Sequence, residues 1–255
     1  MKIVVITGTS SGIGKDLATL LIKKGYKVYG LSRKDSNIER LNEIKCDITS
    51  LDDIKNAFNI IKENEETIDV LVNNAGMGIA GSIKESSYED INLIFNTNMF
   101  GTIKMVKEFI PLINDGGRII NLGSVAGDLT IPYQAFYTMT KSAIDKFSEA
   151  LNIELKDKKI KATTILPGDT KTGFTANRKK TNSDNKTANE SIKKMEKDEQ
   201  NGASPSKVSN VIYKVIKSKN PPVRKTVGFS YKLFIFLQRL LPRRLVIFIL
   251  SKLYG

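Results

Sequence analysis

The sequence predicts an α/β fold in which helices cover both faces of a parallel sheet, and three observations carry that prediction. Short β-branched runs alternate with amphipathic helical stretches: residues 2–7, a helical pattern to about residue 24, then residues 26–31, which makes a βαβ unit. A glycine cluster, Gly8-Thr-Ser-Ser-Gly12-Ile-Gly14, stands at the first strand-to-helix junction. Later strand-like runs stop at small or polar residues, Asn73-Asn-Ala-Gly76, Gly123-Ser124 and Pro167-Gly168, at the end of the strand where open α/β sheets take ligands.

Composition agrees. With 255 residues, 40% hydrophobic and 26% charged, the chain can fill one sizeable core. A lone cysteine, Cys46, excludes an internal disulfide and fits a reducing compartment, so a cytoplasmic location is expected. The first residues lack the apolar region and cleavage site of a signal peptide, and no uninterrupted apolar run reaches the ~18 residues of a membrane span. No metal site is expected. The net charge of +13 is uneven: eleven of the 40 basic residues and no acidic ones follow Gln200, leaving 29 basic against 27 acidic residues in 1–199.

The elements follow in order. Glycines between the first strand and its helix let backbone approach an anion, and the helix N-terminus offers free N–H groups to a pyrophosphate; a tight turn serving only helix–strand packing is the alternative. The second strand ends in Ser32-Arg33-Lys34. A carboxylate there would accept from a free ribose 2′-hydroxyl, whereas an arginine suits a 2′-phosphate, so NADP(H) is expected over NAD(H) unless Arg33 only meets solvent. A short apolar piece at 44–46 leads into Asp47-Ile48-Thr49-Ser50 and a helix over 51–64 capped by Ser50 or Thr49. Residues 68–72 form a strand that breaks into Asn73-Asn-Ala-Gly76, a cofactor lining or merely a turn. One long helical stretch is expected over 87–114, with Asn98 unfavourable at its middle unless its amide has work to do. A strand over 118–122, a helix from Tyr137 to about 156 and a strand over 160–166 come next. Residues 173–204 are dominated by Lys, Asn, Thr, Ser and Glu; they read as a mobile flap over the substrate with one helix near 188–198, or as a solvated insertion. A helix over 205–217 and a strand over 223–227 complete the alternation.

The chain has no histidine, so proton chemistry falls to tyrosine, lysine or carboxylates. Tyr137 and Lys141 stand four apart on a helical pattern, one turn from each other on one face. A phenol of pKa about 10 is a poor acid at neutral pH, and a neighbouring ammonium is expected to lower it. Ser124 then suits the oxygen whose proton is exchanged. Taken alone, the pair reads first as an aromatic covering a lysine stem.

In register these pieces resemble the short-chain dehydrogenase/reductase family from residue 1 to about 228. The matching motifs are the Thr7–Gly14 turn, Asn73-Asn-Ala-Gly76, Asn98 with Gly101, Ser124, Tyr137 with Lys141 thirteen residues further, and Pro167-Gly168 with Thr172. The resemblance implies a Rossmann-type, doubly wound sheet of seven parallel strands, order 3-2-1-4-5-6-7, and hydride transfer between a ketone and a secondary alcohol. It implies a catalytic set of Asn98, Ser124, Tyr137 and Lys141: Tyr137 as acid, Ser124 orienting the substrate oxygen, Lys141 on the ribose hydroxyls, Asn98 holding a relay water. Cofactor contacts are implied for Gly8, Ser10, Ser11, Gly12, Ile13 and Gly14 in the turn and for Arg33 at the 2′ position. Asp47 and Ile48 would flank the adenine. Asn74, Ala75, Gly76, Tyr137 and Lys141 would line the middle, and Pro167, Gly168, Thr170 and Thr172 the nicotinamide side.

The domain is thus expected over 1–228, with the flap at 169–204 and a separate tail at 229–255. The tail departs from the family: apolar blocks at 233–237 and 245–250 flank Pro242-Arg-Arg, neither long enough to span a bilayer. Basic residues beside apolar helices suit a membrane interface, or the tail packs in a homo-oligomer; no nucleic-acid fold is visible. Its composition points to a lipophilic small-molecule substrate, steroid-like, retinoid-like or acyl-chain. A 3-oxoacyl reductase of fatty-acid synthesis, a catalytically silent dinucleotide sensor and a membrane scaffold are the alternatives.

Overall fold

The computed structural model describes residues 1–181 and 185–254. Strand β1 (Ile3–Thr7) enters helix α1 (Gly12–Lys23), which returns to β2 (Lys27–Ser32) and the short β3 (Asn42–Lys45). Helix α2 (Leu51–Asn64) starts at Ser50, whose hydroxyl accepts from the Asp53 N–H and settles which of the two candidate caps is used. Strand β4 (Ile68–Asn73) follows, then β5 (Ile79–Ala80).

The expected long helix over 87–114 is broken. α3 (Tyr88–Phe95) passes through a π-helical turn at Asn96–Phe100 into α4 (Gly101–Phe109), and a 3₁₀ turn leads into β6 (Ile113–Leu122). Two causes are visible. Pro111 has no N–H to continue a helix, so the strand begins at Ile113 rather than Arg118. Asn98, 1% exposed, spends its side chain on the Met77 backbone and not on solvent. Helix α5 (Ala135–Glu154) carries Tyr137 and Lys141, and β7 (Lys161–Pro167) follows.

In the flap, β8 (Lys179–Lys180) pairs in parallel with β5, and α6 (Lys186–Gln200) is capped by the Asn185 carboxamide oxygen. Ile192 and Met195 of α6 bury themselves against Ala80, Ile131 and Tyr133. Residues 182–184 of the expected flap lie outside the described residues. Helix α7 (Pro205–Lys217), with proline in its first turn, leads to β9 (Arg224–Val227), and helices α8 (Phe229–Leu240) and α9 (Arg243–Tyr254) form the tail, split at Pro242.

The sheet order is β3-β2-β1-β4-β6-β7-β9, every pair parallel, which is the expected seven-stranded order once the β5–β8 ladder is set aside. Alternation along the strands divides the core. Val5, Leu71 and Ile119 face α2, α4 and α5 through Ile54, Ile61, Met105, Phe109 and Leu151. Val4, Ile6, Val70, Val72 and Ile120 face α1 and α7 through Leu17, Leu21, Val208 and Ile212. Each such large side chain contributes about 1.5–3 kcal/mol by burial, so the carboxyl ends of β1, β4, β6 and β7 are held as a rigid rim. Among the described residues, no helix is long and apolar enough to cross a membrane.

Candidate active site

The rim begins with the glycine turn. Gly8 and Gly12 have φ of +76° and +55°, a region that L side chains avoid. A Cβ on Gly14 would lie 2.2 Å from the Gly8 carbonyl oxygen, so the turn closes only with glycine there. Ser11, ahead of α1, makes no side-chain cap bond, and the first turn of α1 contains no acid. The uncapped N–H groups beside Gly12, Ile13 and Gly14 therefore suit an anion.

Asn74 shows its use here. Its Nδ2 donates to the carbonyls of Thr7 (2.9 Å) and Gly8 (3.2 Å), while the Asn74 and Ala75 N–H groups donate to Thr7 Oγ1, both at 3.0 Å. The β4 break is thus the buttress of the glycine turn. From the far side, Thr172 reaches within 3.4 Å of the Cβ position of Gly12, bringing the loop after β7 over the turn. Thr170 Oγ1 donates to the Gly168 carbonyl (2.9 Å) and steadies that loop.

At the end of β2, Arg33 is exposed, with its nearest charge Asp47 Oδ2 at 3.7 Å. Its loop is fixed: Ser32 Oγ donates to the Lys34 carbonyl (2.6 Å), the Ser36 N–H to Glu43 (2.6 Å), and Ser36 Oγ meets Thr9 Oγ1 at 2.9 Å. Asp47 accepts from the Thr49 N–H (2.9 Å) and hydroxyl (2.8 Å), and Ile48 packs against Gly101, whose Cβ would fall 2.9 Å from Ile48 Cδ1. A narrow glycine cradle, uncapped N–H groups and a cation at the second strand form a donor set that fits a dinucleotide.

The candidate catalytic residues lie beyond the cradle. Ser124 opens a 3₁₀ turn, its oxygen accepting from the Ala126 N–H (3.1 Å), and its hydroxyl is near enough to the Tyr137 phenol to pull the phenol pKa down. Lys141 Nζ donates to the Leu122 carbonyl (2.7 Å) and stands 5.7 Å from the centre of the Tyr137 ring. The Cβ position of Gly76 lies 3.2 Å from Asn98 Oδ1 and 3.6 Å from Lys141 Nζ, so a side chain there would crowd both. Asn98 Oδ1 accepts from the Met77 N–H (2.8 Å), and its Nδ2 donates to the Met77 carbonyl (2.9 Å) and Thr140 Oγ1 (3.3 Å). The structure thus brings Asn98, Ser124, Tyr137 and Lys141 together at the rim.

One expectation is corrected. Tyr137 does not have a lowered pKa: burial pushes it up to about 12, against smaller downward pulls from the Ser124 hydrogen bond and the Arg178 charge, while Glu199 pushes it further up. Lys141 is itself buried, brought down to about 8, and tied to Leu122.

Beyond Asn73, already part of the Asn73-Asn-Ala-Gly76 motif, several supporting residues are not legible in the sequence. Asn73 Nδ2 donates to Asn121 Oδ1 (2.8 Å), Asn121 Nδ2 to Ser148 Oγ (2.8 Å), and Ser148 Oγ to the Ile144 carbonyl (2.8 Å). That buried chain locks β4 and β6 to α5 beneath Tyr137. Arg224 of β9 holds Asp145 of α5 and Asp128 beyond Ser124, fixing the Ser124 loop. From the flap, Phe174 lays its ring 5.8 Å from that of Tyr137, and buried Arg178 lies over Phe174 at 5.6 Å, ion-paired with Glu199. No group of His, Cys, Asp or Glu among the described residues is arranged to hold a metal ion.

Comparison with known proteins gives the same picture. The family model described as short chain dehydrogenase matches residues 2–183. The chain is 40% identical over 236 residues to the 3-ketodihydrosphingosine reductase of Bacteroides thetaiotaomicron, covering 89% of this chain and 88% of that one. Among solved structures, a short-chain dehydrogenase from Streptomyces avermitilis superposes with a TM-score of 0.84 at 23% identity, covering 99% of this chain and 96% of that one. A short chain dehydrogenase/reductase from Burkholderia phymatum, solved in complex with NAD, gives 0.84 at 20% identity, covering 93% and 92%; both likenesses are of fold.

Proposed function

The chain belongs to the short-chain dehydrogenase family and is an oxidoreductase whose fold binds an NAD(P) dinucleotide; from that premise we propose that it uses NADPH to reduce a long-chain ketone to a secondary alcohol, with Tyr137 as the proton donor. The observation that carries this reading is the Ser124–Tyr137–Lys141 cluster beside the glycine cradle. When bound, the reduced nicotinamide supplies the hydride. Tyr137 gives its hydroxyl proton to the carbonyl oxygen as negative charge develops there, and Ser124 hydrogen-bonds the same oxygen. Lys141, at Gly76, holds the ribose hydroxyls. Asn98 clamps the Met77 backbone from both sides, so that Gly76 keeps its distance from Lys141, and would hold a relay water there. Burial keeps the Tyr137 phenol protonated near neutral pH, the protonation state that a proton donor to the ketone requires.

NADPH preference rests on Arg33, free at the end of β2 apart from a long approach to Asp47. Arg33→Ala weakens NADPH by about 10–100-fold, the scale of a charge-assisted hydrogen bond, and changes NADH by less than about threefold. Fluorescence titration with each cofactor checks this; equal losses remove Arg33 from the 2′-phosphate.

A lipophilic substrate is supported by the name of the Bacteroides relative, a reductase of a long-chain ketone, and by the tail. Tyr231 and Ile235 seat α8 against Val125, Leu129 and Leu166, directly behind Ser124, and the Tyr231 hydroxyl bonds Asp169 at 2.5 Å. The outward face is apolar at helical spacing: Phe229, Leu233, Phe236, Leu237 and Leu240 on α8, then Leu245, Phe248, Ile249 and Leu253 on α9, all exposed. Lys232, Arg239, Arg243, Arg244 and Lys252 are interspersed, with no acid after Gln200. This surface suits an anionic bilayer facing the cytoplasm, touched without being crossed. Sedimentation with phosphatidylserine vesicles carries the protein down, less so with phosphatidylcholine alone, and Phe236→Asp with Phe248→Asp leaves it in the supernatant. A stable homo-oligomer with no vesicle binding would give this face to a second copy of the chain.

A further inference from the structure

The tail is joined to the site by a side chain that the proton transfer does not use. Tyr231 stands in the first turn of α8, and its ring lies between two glycines. A Cβ on Gly168 would fall 2.1 Å from Tyr231 Cε2, and one on Gly228 would fall 3.1 Å from Cδ2. Gly228 also turns the chain from β9 into α8 with a φ of +98°. The Tyr231 hydroxyl makes two bonds to one residue, donating to Asp169 Oδ2 at 2.5 Å and accepting from the Asp169 N–H at 3.1 Å. Asp169 lies in the loop whose Thr172 reaches over Gly12. That loop also receives the returning end of the flap. The Ala203 N–H donates to the Asp169 carbonyl (2.9 Å) and the Lys171 N–H to the Ala203 carbonyl (2.8 Å). Gly202 comes so close that its Cβ would fall 2.4 Å from the Asp169 carbonyl oxygen. Residues 168–172 are thus held between the flap and the tail.

Anchoring the tail needs only the ring, which packs with Ile235 against Val125 and Leu166. The hydroxyl serves the loop. Residues 168–172 lie outside the helices and strands, so their backbone is fixed by partners from other segments. Burial raises the Asp169 carboxyl above its usual pKa, the Tyr231 hydrogen bond lowers it, and the charges of Glu199 and Asp198 raise it again. Without the hydroxyl, those two carboxylates push Asp169 toward water, and the loop follows it. We propose that Tyr231 is a positioning residue: through Asp169 it holds residues 168–172 where the nicotinamide half of the cofactor is gripped, which makes the tail a part of the cofactor site. This rests on the dinucleotide lying along the glycine cradle with its nicotinamide half toward this loop, as the family resemblance implies.

Calorimetric titration of the full-length protein tests it, with NADPH and with 2′-phospho-ADP-ribose, which lacks the nicotinamide; NADH and ADP-ribose take their place where the wild type prefers that pair. Tyr231→Phe keeps the ring and removes both bonds. It weakens the whole cofactor by about tenfold, the scale of a hydrogen bond to a charged group, and the fragment by less than about twofold. Ile235→Ala thins the same buried face of α8 without touching the loop; it lowers the urea midpoint at least as far and leaves both affinities where they were. Asp169→Ala weakens the cofactor about as much as Tyr231→Phe, and the double variant loses little more than the larger single loss. Equal losses for cofactor and fragment in Tyr231→Phe, no loss for either, or an equal loss of cofactor affinity in Ile235→Ala would make Tyr231 an anchor of the tail alone and overturn the inference. A wild type that binds the fragment as tightly as the cofactor overturns it too, since the loop then grips nothing. A wild type that binds neither pair overturns the dinucleotide reading itself.

Discussion

Tyr137→Phe lowers ketone reduction by about 10²–10⁴-fold, the range of a positioned general acid, while NADPH binds with unchanged affinity. The reason is local. The substitution keeps the ring, and with it the contact with Phe174 and the packing over Lys141, and removes only the hydroxyl beside Ser124. The carbonyl still finds Ser124, so it is oriented but has no proton donor. Turnover followed at the nicotinamide absorbance, alongside a binding titration, separates the two effects. Unimpaired reduction in this variant would assign the proton to another group.

Lys141→Met abolishes detectable turnover and makes the protein more stable near neutral pH. Burial holds the Lys141 ammonium down to about 8 from 10.5, so the folded state resists a charge that the unfolded chain accepts freely. Between about pH 8 and about pH 10.5 the unfolded state binds more protons, and stability from this group rises as pH rises through that window. Below it the folded protein bears the full cost of the charge. Methionine removes that cost but leaves the Leu122 carbonyl without its donor, which returns about 1–3 kcal/mol, so the net gain at pH 7 is about 1–2 kcal/mol. Urea unfolding of both proteins at pH 7 and pH 10 checks the sign: the advantage of the variant shrinks at the higher pH. A variant less stable at pH 7 would mean that the ammonium holds the fold together rather than serving the site.

These two residues show how far the sequence could be read. Tyr137 and Lys141 are legible because a four-residue spacing on a helix is local, and the glycine turn because positive φ and a missing Cβ leave glycines at fixed offsets. The sheet order became legible only when six motifs were taken together. What local patterning cannot supply is the partner of a group. Asn98 reads as a misfit in a helix, and the π-helical turn follows only once Met77, far back in the chain, is seen to bind it on both sides. The direction of the Tyr137 shift was misread for the same reason: a helix places the lysine one turn away, but burial under Phe174 and the flap decides the balance. The polar composition of residues 173–204 hides a β5–β8 ladder, because it is completed by residues about a hundred positions earlier, and a buried Arg178, because its partner Glu199 is brought to it only by the fold. In the tail, apolar periodicity gives the helices but not which face turns outward; Ile235 and Val246 are buried and the larger stripe is not.

The central claim is that a buried phenol keeps its proton until a ketone oxygen takes it, and the reverse reaction measures this most directly. Oxidation of the product alcohol needs Tyr137 deprotonated, and with its pKa at about 12 the phenolate fraction grows tenfold for each unit of pH. The kcat/KM for oxidation therefore rises about tenfold per unit from about pH 5 to about pH 7, where Lys141 is still largely charged, while reduction stays flat. An oxidation rate that is level across that range would contradict it.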